Sequence, residues 1–105
     1  NDAENYDEDS FDQMKIFAAE RGQNFPYLCD ASQEVARTYG ATCTPDIFVY
    51  DEARGLEYHG RIDNNWQEEE KVVKRELAEA LKALLQGKKP NRDQNPSMGC
   101  NIKWK

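Results

Sequence analysis

The stretch Tyr39-Gly40-Ala41-Thr42-Cys43-Thr44-Pro45-Asp46-Ile47-Phe48-Val49-Tyr50-Asp51 decides how this chain is read. It opens as a helix end, passes a tight Thr-Pro junction and runs into a strand. Gly40 can take the left-handed conformation that closes a helix. Pro45 has no N–H and a fixed φ, so it suits the first position of a strand. Ile47-Phe48-Val49-Tyr50 is an unbroken run of β-formers, as expected for a strand covered on both faces. Spacing alone reads Thr44-Pro45 as an ordinary trans proline.

Downstream, Leu56 to Ile62 alternates Leu56, Tyr58, Gly60 and Ile62 with Glu57, His59 and Arg61, the period of a strand with one wet face. With Asp51–Gly55 as a five-residue loop, the two runs predict a β-hairpin. His59, the only histidine, falls on the polar face, where solvation is the expectation and no catalytic partner is identifiable. Asp63 to Trp66 reads as a loop. A long helix is predicted from Gln67 to Gln86, with Val73, Leu77, Ala80, Leu81 and Leu84 as its apolar stripe. Glu68, Glu69 and Glu70 would occupy its first turn and suit the helix dipole. Gly87 would end it. Residues 88–98, with Pro90 and Pro96, read as an extended, poorly structured tail. Ile102 and Trp104 are candidate anchors for its end.

Upstream, Asp30 with Gln33 predicts the capped start of a helix whose apolar side is Val35, Ala36 and Tyr39. Phe25 to Cys29 reads as a short strand that Pro26 confines to an edge. Cys29 is most simply a small buried hydrophobe. Ser10-x-x-Gln13 is a capping-box pattern opening a first helix, and Gly22 stops it. Phe11, Met14, Phe17 and Ala18 share one face of that helix and read as core packing. Asn1 to Asp9, rich in acids, reads as an exposed loop without the ligand spacing of a calcium site.

The chain has 105 residues, enough for one domain with a modest core. A net charge of −6 argues against nucleic acid as the main partner. No apolar run is long enough to span a membrane. No signal peptide is visible, which carries little weight because the chain does not begin with Met. Three cysteines, Cys29, Cys43 and Cys100, are too few and too spread for a disulfide framework or a zinc site. The odd count points weakly to reduced thiols and a cytoplasmic setting. No cofactor or metal is expected.

Gly40-Ala41-Thr42-x-Thr44-Pro45-Asp46 before an apolar strand resembles the "G-A/V-x-x-T-P" segment of thioredoxin-like proteins. Phe25-Pro26-Tyr27-Leu28, Gln33-Glu34-Val35-Ala36, Gly60-Arg61-Ile62-Asp63-Asn64-Asn65-Trp66 and Gly99-Cys100-Asn101-Ile102-Lys103-Trp104 extend the likeness. Together they resemble the redoxin-type branch of the alkyl hydroperoxide reductase/thiol-specific antioxidant superfamily, over nearly the whole chain.

The resemblance implies an α/β thioredoxin-like fold in which Thr44 precedes a cis-proline, Pro45, that shapes a redox site. It implies thiol–disulfide exchange or thiol-dependent peroxide reduction as the parent activity, with a disulfide or a peroxide as substrate. The chemistry itself needs a thiolate of lowered pKa, from Cys-x-x-Cys at a helix start or from Pro-x-x-x-Thr-x-x-Cys. Neither motif is present, so no catalytic residue is assigned within this chain. In the family the dithiol lies on a strand–helix unit upstream of the position of Asn1. There the hairpin pairs with the dithiol strand, and the Phe25 strand pairs with another strand absent from this sequence.

The expected architecture is therefore incomplete: helix, edge strand, helix, β-hairpin, long helix and tail. Residues 1–87 would be the C-terminal portion of the domain and residues 88–105 the tail. A missing N-terminal half, a second copy or a domain swap would complete the sheet. The isolated chain is expected to be inactive. Cys43, where the family often has a basic residue, and Cys100, which matches the family tail, are auxiliary thiol candidates. Cys43 is read first as a tolerated substitution and Cys100 first as structural. The alternative function is a redox-inactive module that binds an extended peptide beside Thr44-Pro45 or at a sheet edge.

Overall fold

The structure, a computed structural model, describes residues 1–105 and divides into two compact units. Residues 1–41 with 102–105 form one, and residues 42–101 form the other.

In the first unit, α1 spans Phe11–Arg21 and α2 spans Glu34–Tyr39. Ser10 caps α1 as its pattern predicts: its hydroxyl accepts from the Gln13 N–H at 3.2 Å. Gly22 and Gly40 close the two helices in the left-handed conformation, with φ of 59° and 78°. The start of α2 is less regular. The Asp30 carboxylate accepts from the N–H groups of Val35 and Ala36, at 3.4 and 2.8 Å. Gln33 does not complete a capping box. It sits at φ 64°, and its buried amide donates to the Lys103 carbonyl and accepts from the Lys105 N–H, both at 3.0 Å.

The acidic N-terminus is not simply an exposed loop. Asp2 is 2% exposed; its N–H donates to the Lys103 carbonyl, and its carboxylate accepts from the Asn5 amide at 2.6 Å. Residues 7–9 make a single 3-10 turn. Lys103 Nζ bonds both Glu8 and Asp9 at 2.9 Å. Ile102 is buried, and the Arg37 guanidinium lies over the Trp104 ring at 4.3 Å.

Three further expectations fail or hold only in part in this unit. Phe25–Cys29 forms no strand, because an isolated extended segment has no ladder to satisfy its backbone and Pro26 removes one donor. Cys29 is exposed, not buried. The apolar face of α1 is only partly packed: Met14 and Ala18 are half-buried, Phe11 and Phe17 are 52% and 42% exposed, and no α1 residue is buried.

The second unit carries two two-stranded antiparallel sheets. In one, β1 (Cys43–Thr44) pairs with β4 (Cys100–Asn101). In the other, β2 (Ile47–Tyr50) pairs with β3 (Leu56–Gly60) as the predicted hairpin. Its turn is closed by Asp51, whose carboxylate accepts from the Gly55 N–H at 2.8 Å. Register sets Ile47 opposite Gly60, Phe48 opposite His59 and Val49 opposite Tyr58. Cover on both faces was expected of β2, but Ile47, Phe48 and Val49 are only half-buried, because no other strand or helix of the chain closes over them. β3 stops at Gly60 and not at Ile62, because the Arg61 N–H turns away to the Asn95 carbonyl at 3.1 Å.

The long helix begins late. α3 runs from Glu76 to Leu85, and residues 69–71 form only a 3-10 turn. Asparagine side chains explain the delay. Asn65 Oδ1 accepts from Gln67 and Glu68, and Asn64 Oδ1 accepts from Val73 and Lys74, so the backbone is satisfied outside a helix. The Glu68–Glu70 run therefore caps nothing, and Val73 is 85% exposed. Ala80 is buried and Leu77 and Leu84 are half-buried, but Leu81 is 43% exposed, so only part of the predicted stripe packs. Gly87, at φ 72°, ends the helix as read, with the Lys88 N–H bonded back to the Ala83 carbonyl at 2.8 Å.

The centre of this unit is Tyr58, 2% exposed, whose hydroxyl donates to the Arg61 carbonyl. Gly60 lies against the tail so closely that a Cβ there would overlap the Asn95 carbonyl. Overpacking of this kind costs about 1–3 kcal/mol. Gly60→Ala is expected to lower stability in urea titrations by that amount. An unchanged midpoint would show that the tail does not hold this position.

Candidate functional site

The Thr44–Pro45 peptide bond is cis and lies just ahead of β2. Beside it opens a cleft of about 830 Å³. Thr44, Pro45 and Ile47 form one side and Met98, Gly99 and Cys100 another. Trp66 and Ile62 add apolar surface, while Arg61, Asp63 and Glu69 add charge. Size and composition fall in the range of small-molecule sites.

Of the residues singled out in the sequence, Thr44, Pro45 and Cys100 come together here and Cys43 does not. Thr44 and Cys100 are directly opposed in the β1–β4 pair and share a face. Cys43, one residue along, points to the other face. It is 9% exposed, and its Sγ donates to the Pro45 carbonyl at 3.5 Å. Cys43 and Cys100 therefore stand on opposite faces of this two-stranded ribbon and are not placed to bridge. All three cysteines are free thiols, and Cys100 is exposed to the cleft.

Directly after Pro45 lies a group that the sequence reading passed over. The Asp46 side chain is 2% exposed and is held by three segments. Its Oδ2 accepts from the Thr42 N–H at 3.0 Å. Its Oδ1 lies 2.8 Å from both His59 Nε2 and Ser97 Oγ. A carboxylate here can only accept, so the proton between it and His59 belongs to Nε2. Phe48 stacks on the His59 ring at 4.0 Å, as their cross-strand pairing requires. His59 is thus a partnered group, and the expectation of a merely solvated histidine is corrected. Its signal was invisible because its partner lies thirteen residues away across a turn.

Burial pushes the Asp46 carboxyl up, but the hydrogen bonds from Thr42, Ser97 and His59 outweigh it and hold it below the usual carboxylate range. Glu76 follows the same pattern: burial raises it, while Arg61 and Asn95 bring it below the ordinary value. The Arg61–Glu76 pair joins the end of β3 to the start of α3, and the Leu77 N–H donates to the Ile62 carbonyl at 3.3 Å. Arg61 is thereby neutralised, so Asp63 and Glu69 leave the cleft acidic.

The residues expected to form a loose tail are not loose. Gln94 Oε1 accepts from the His59 N–H at 3.0 Å, and its Nε2 donates to the Glu57 carbonyl at 2.9 Å. The Ser97 hydroxyl lies between Asp46 and the Gly60 carbonyl, at 2.8 and 2.6 Å. These polar pins replace the apolar periodicity by which a sequence reveals a regular element.

Asp46 gives a pH dependence with a definite sign. Its folded-state value lies below the unfolded one, so its contribution is present above about pH 4 and fades as pH falls through the depressed value. Asp46→Asn is expected to be less stable at pH 7 and to show a shallower loss in acid. Parallel stability–pH curves would contradict this.

Residues 5–59 match the family model described as the AhpC/TSA family. No curated protein matches the chain. It is similar to the crystal structure of a hypothetical protein from Sinorhizobium meliloti 1021, with 45% identity and a TM-score of 0.92. All of this chain and 58% of that one are covered. It is also similar to an uncharacterized conserved protein from Geobacillus kaustophilus, with 45% identity, a TM-score of 0.91, and coverage of 100% of this chain and 56% of that one. The chain thus spans less than three-fifths of the length of the structures it matches. The family match spans more than half of the chain and includes the Thr44–Pro45 junction and all of the β2–β3 hairpin except Gly60. This α/β chain, thioredoxin-like and of redoxin type, belongs to the AhpC/TSA family.

Proposed function

We propose that this chain is the part of a thiol–disulfide oxidoreductase or thiol-dependent peroxidase that shapes the redox site, while the dithiol is supplied by residues outside it. The observation that carries this reading is the cleft beside Thr44 and Pro45, in a chain of this family that has no Cys-x-x-Cys. In such a protein two thiols attack in turn. With a disulfide R–S–S–R, the first thiolate forms a mixed disulfide and releases one RSH. The second thiol then closes the protein disulfide and releases the other. With a hydroperoxide, the thiolate sulfur takes one oxygen as ROH leaves, and the second thiol forms the disulfide with loss of water. Either way two electrons leave the protein, and a reducing thiol must restore it.

Thr44, Pro45 and Cys100 would then border the dithiol, and Trp66 and Ile62 would hold the body of the substrate. The exposed faces of Phe11, Ile16, Phe17 and Leu28 support the same reading. The similar structures are longer chains, of which this one covers 58% and 56%, and exposed apolar faces of this kind call for a cover. We assign their cover to the remainder of the domain.

The test compares this chain with the same chain preceded by its natural upstream segment, using bis(2-hydroxyethyl) disulfide and cumene hydroperoxide as substrates. The longer protein is expected to turn over at least one of them with dithiothreitol, to lose that activity when its upstream cysteines become serine, and to unfold at a higher urea concentration. The shorter chain should be inert. Turnover by the short chain alone that disappears on Cys100→Ser would overturn the assignment, as would a longer protein with no cysteine-dependent activity.

A further inference from the structure

The backbone around Thr44–Pro45 is already occupied. Cys100 and Asn101 pair with Thr44 and Cys43 as an antiparallel ladder. The Thr44 hydroxyl also donates to the Cys100 carbonyl at 3.4 Å. Gly99 lies so close that a Cβ on it would overlap the Thr44 carbonyl and crowd the nitrogen of Pro45. Of the neighbouring donors, the Thr42 N–H is taken by Asp46 and Pro45 has none. Recognition of an extended polypeptide by strand addition needs a run of free backbone groups along an edge. The side of β1 facing the tail offers no such run.

The occupant is fastened. Gln94 is bonded to the backbone at Glu57 and His59, the Asn95 carbonyl accepts from Arg61, and Ser97 is held by Asp46 and Gly60. These pins precede β4 and fix its register. Asp46 stands next to Pro45, so the carboxylate that orders the junction also holds the strap lying across it.

We propose that residues Ser97–Asn101 are a built-in occupant of the backbone edge at Thr44–Pro45, which makes the cleft selective for a compact small molecule and closed to an extended polypeptide. Gly99 and Ser97 are the positioning residues of this selectivity: Gly99 permits the close approach, and Ser97 sets its place. The cleft volume of about 830 Å³ suits a ligand of that kind. The naming of that ligand as a small disulfide or hydroperoxide rests on the redox reading above; the occupancy of the edge does not.

The test reads occupancy and not turnover, so it can fail while the redox reading stands, and the reverse. A synthetic peptide of residues 95–101 carrying Cys100→Ser is added to the ¹⁵N-labelled chain and the amide signals are followed. The wild-type chain is expected to show no shift at Cys43 or Thr44 up to about 1 mM peptide, a millimolar Kd being the weakest binding worth counting. In Gly99→Val the chain's own strand is displaced, and the peptide, which keeps its glycine, is expected to shift those two signals. Binding at Cys43 and Thr44 in the wild type would overturn the proposal, as would a folded Gly99→Val chain that leaves the peptide unbound. Should that variant not fold, amide exchange in the wild type decides. The hydrogen-bonded amides of β1 and β4 should exchange at least roughly tenfold more slowly than that of Arg92, and equal rates would overturn the occupancy.

Discussion

A buried carboxylate is tolerated only when its oxygens are supplied with donors, and Asp46 shows what that demand organises. Its three donors come from Thr42 directly before β1, from β3 and from the tail. Loss of any one would leave a charged group short of partners in a place water hardly reaches. The requirement acts as a clamp. It draws the Thr44–Pro45 junction, His59 with its stacked Phe48, and Ser97 to a single point. The cleft wall made by Met98, Gly99 and Cys100 follows from Ser97 being held there.

The rest of the residue 42–101 unit is arranged in the same way, by polar pins more than by a large core. Tyr58 and Ala80 are buried, but few other large side chains join them. In place of apolar layers, the Arg61–Glu76 pair and the Asn95 carbonyl bind α3 and the tail to β3. Such networks fix geometry more than they add stability. The redox role proposed for this cleft would suit such a balance: the wall beside a reacting sulfur would be placed accurately by polar pins, with further apolar contact supplied from outside this chain.

Features set by one or two neighbouring residues were legible in the sequence. Ser10 and Gly22 bound α1, Gly40 closes α2, Gly87 closes α3, and the alternation after Asp51 makes the hairpin. The Thr44–Pro45 junction ahead of β2 could be read from the motif around it. What failed was set by long-range partners or by their lack. Phe25–Cys29 has strand composition but nothing in this chain to pair with. The predicted helix from Gln67 loses its first turns to Asn64 and Asn65, whose short amides bond the backbone better locally than a helix would. His59 looked idle because alternation says which face a residue takes and nothing about what waits there. Asp46, Gln94 and Ser97 carry no periodic signal at all, so the hub of the site was the part least open to sequence reasoning.

A hydrogen-bonded, ionised Asp46 thus holds the junction, the hairpin and the tail together. A ¹³C NMR titration of the Asp46 carboxyl carbon tests it most directly. The expected midpoint lies below the ordinary aspartate value of about 3.9, with the Thr42 amide and the Ser97 signals moving at the same pH. A midpoint at or above that value, or a titration that leaves Thr42 and Ser97 unmoved, would contradict it.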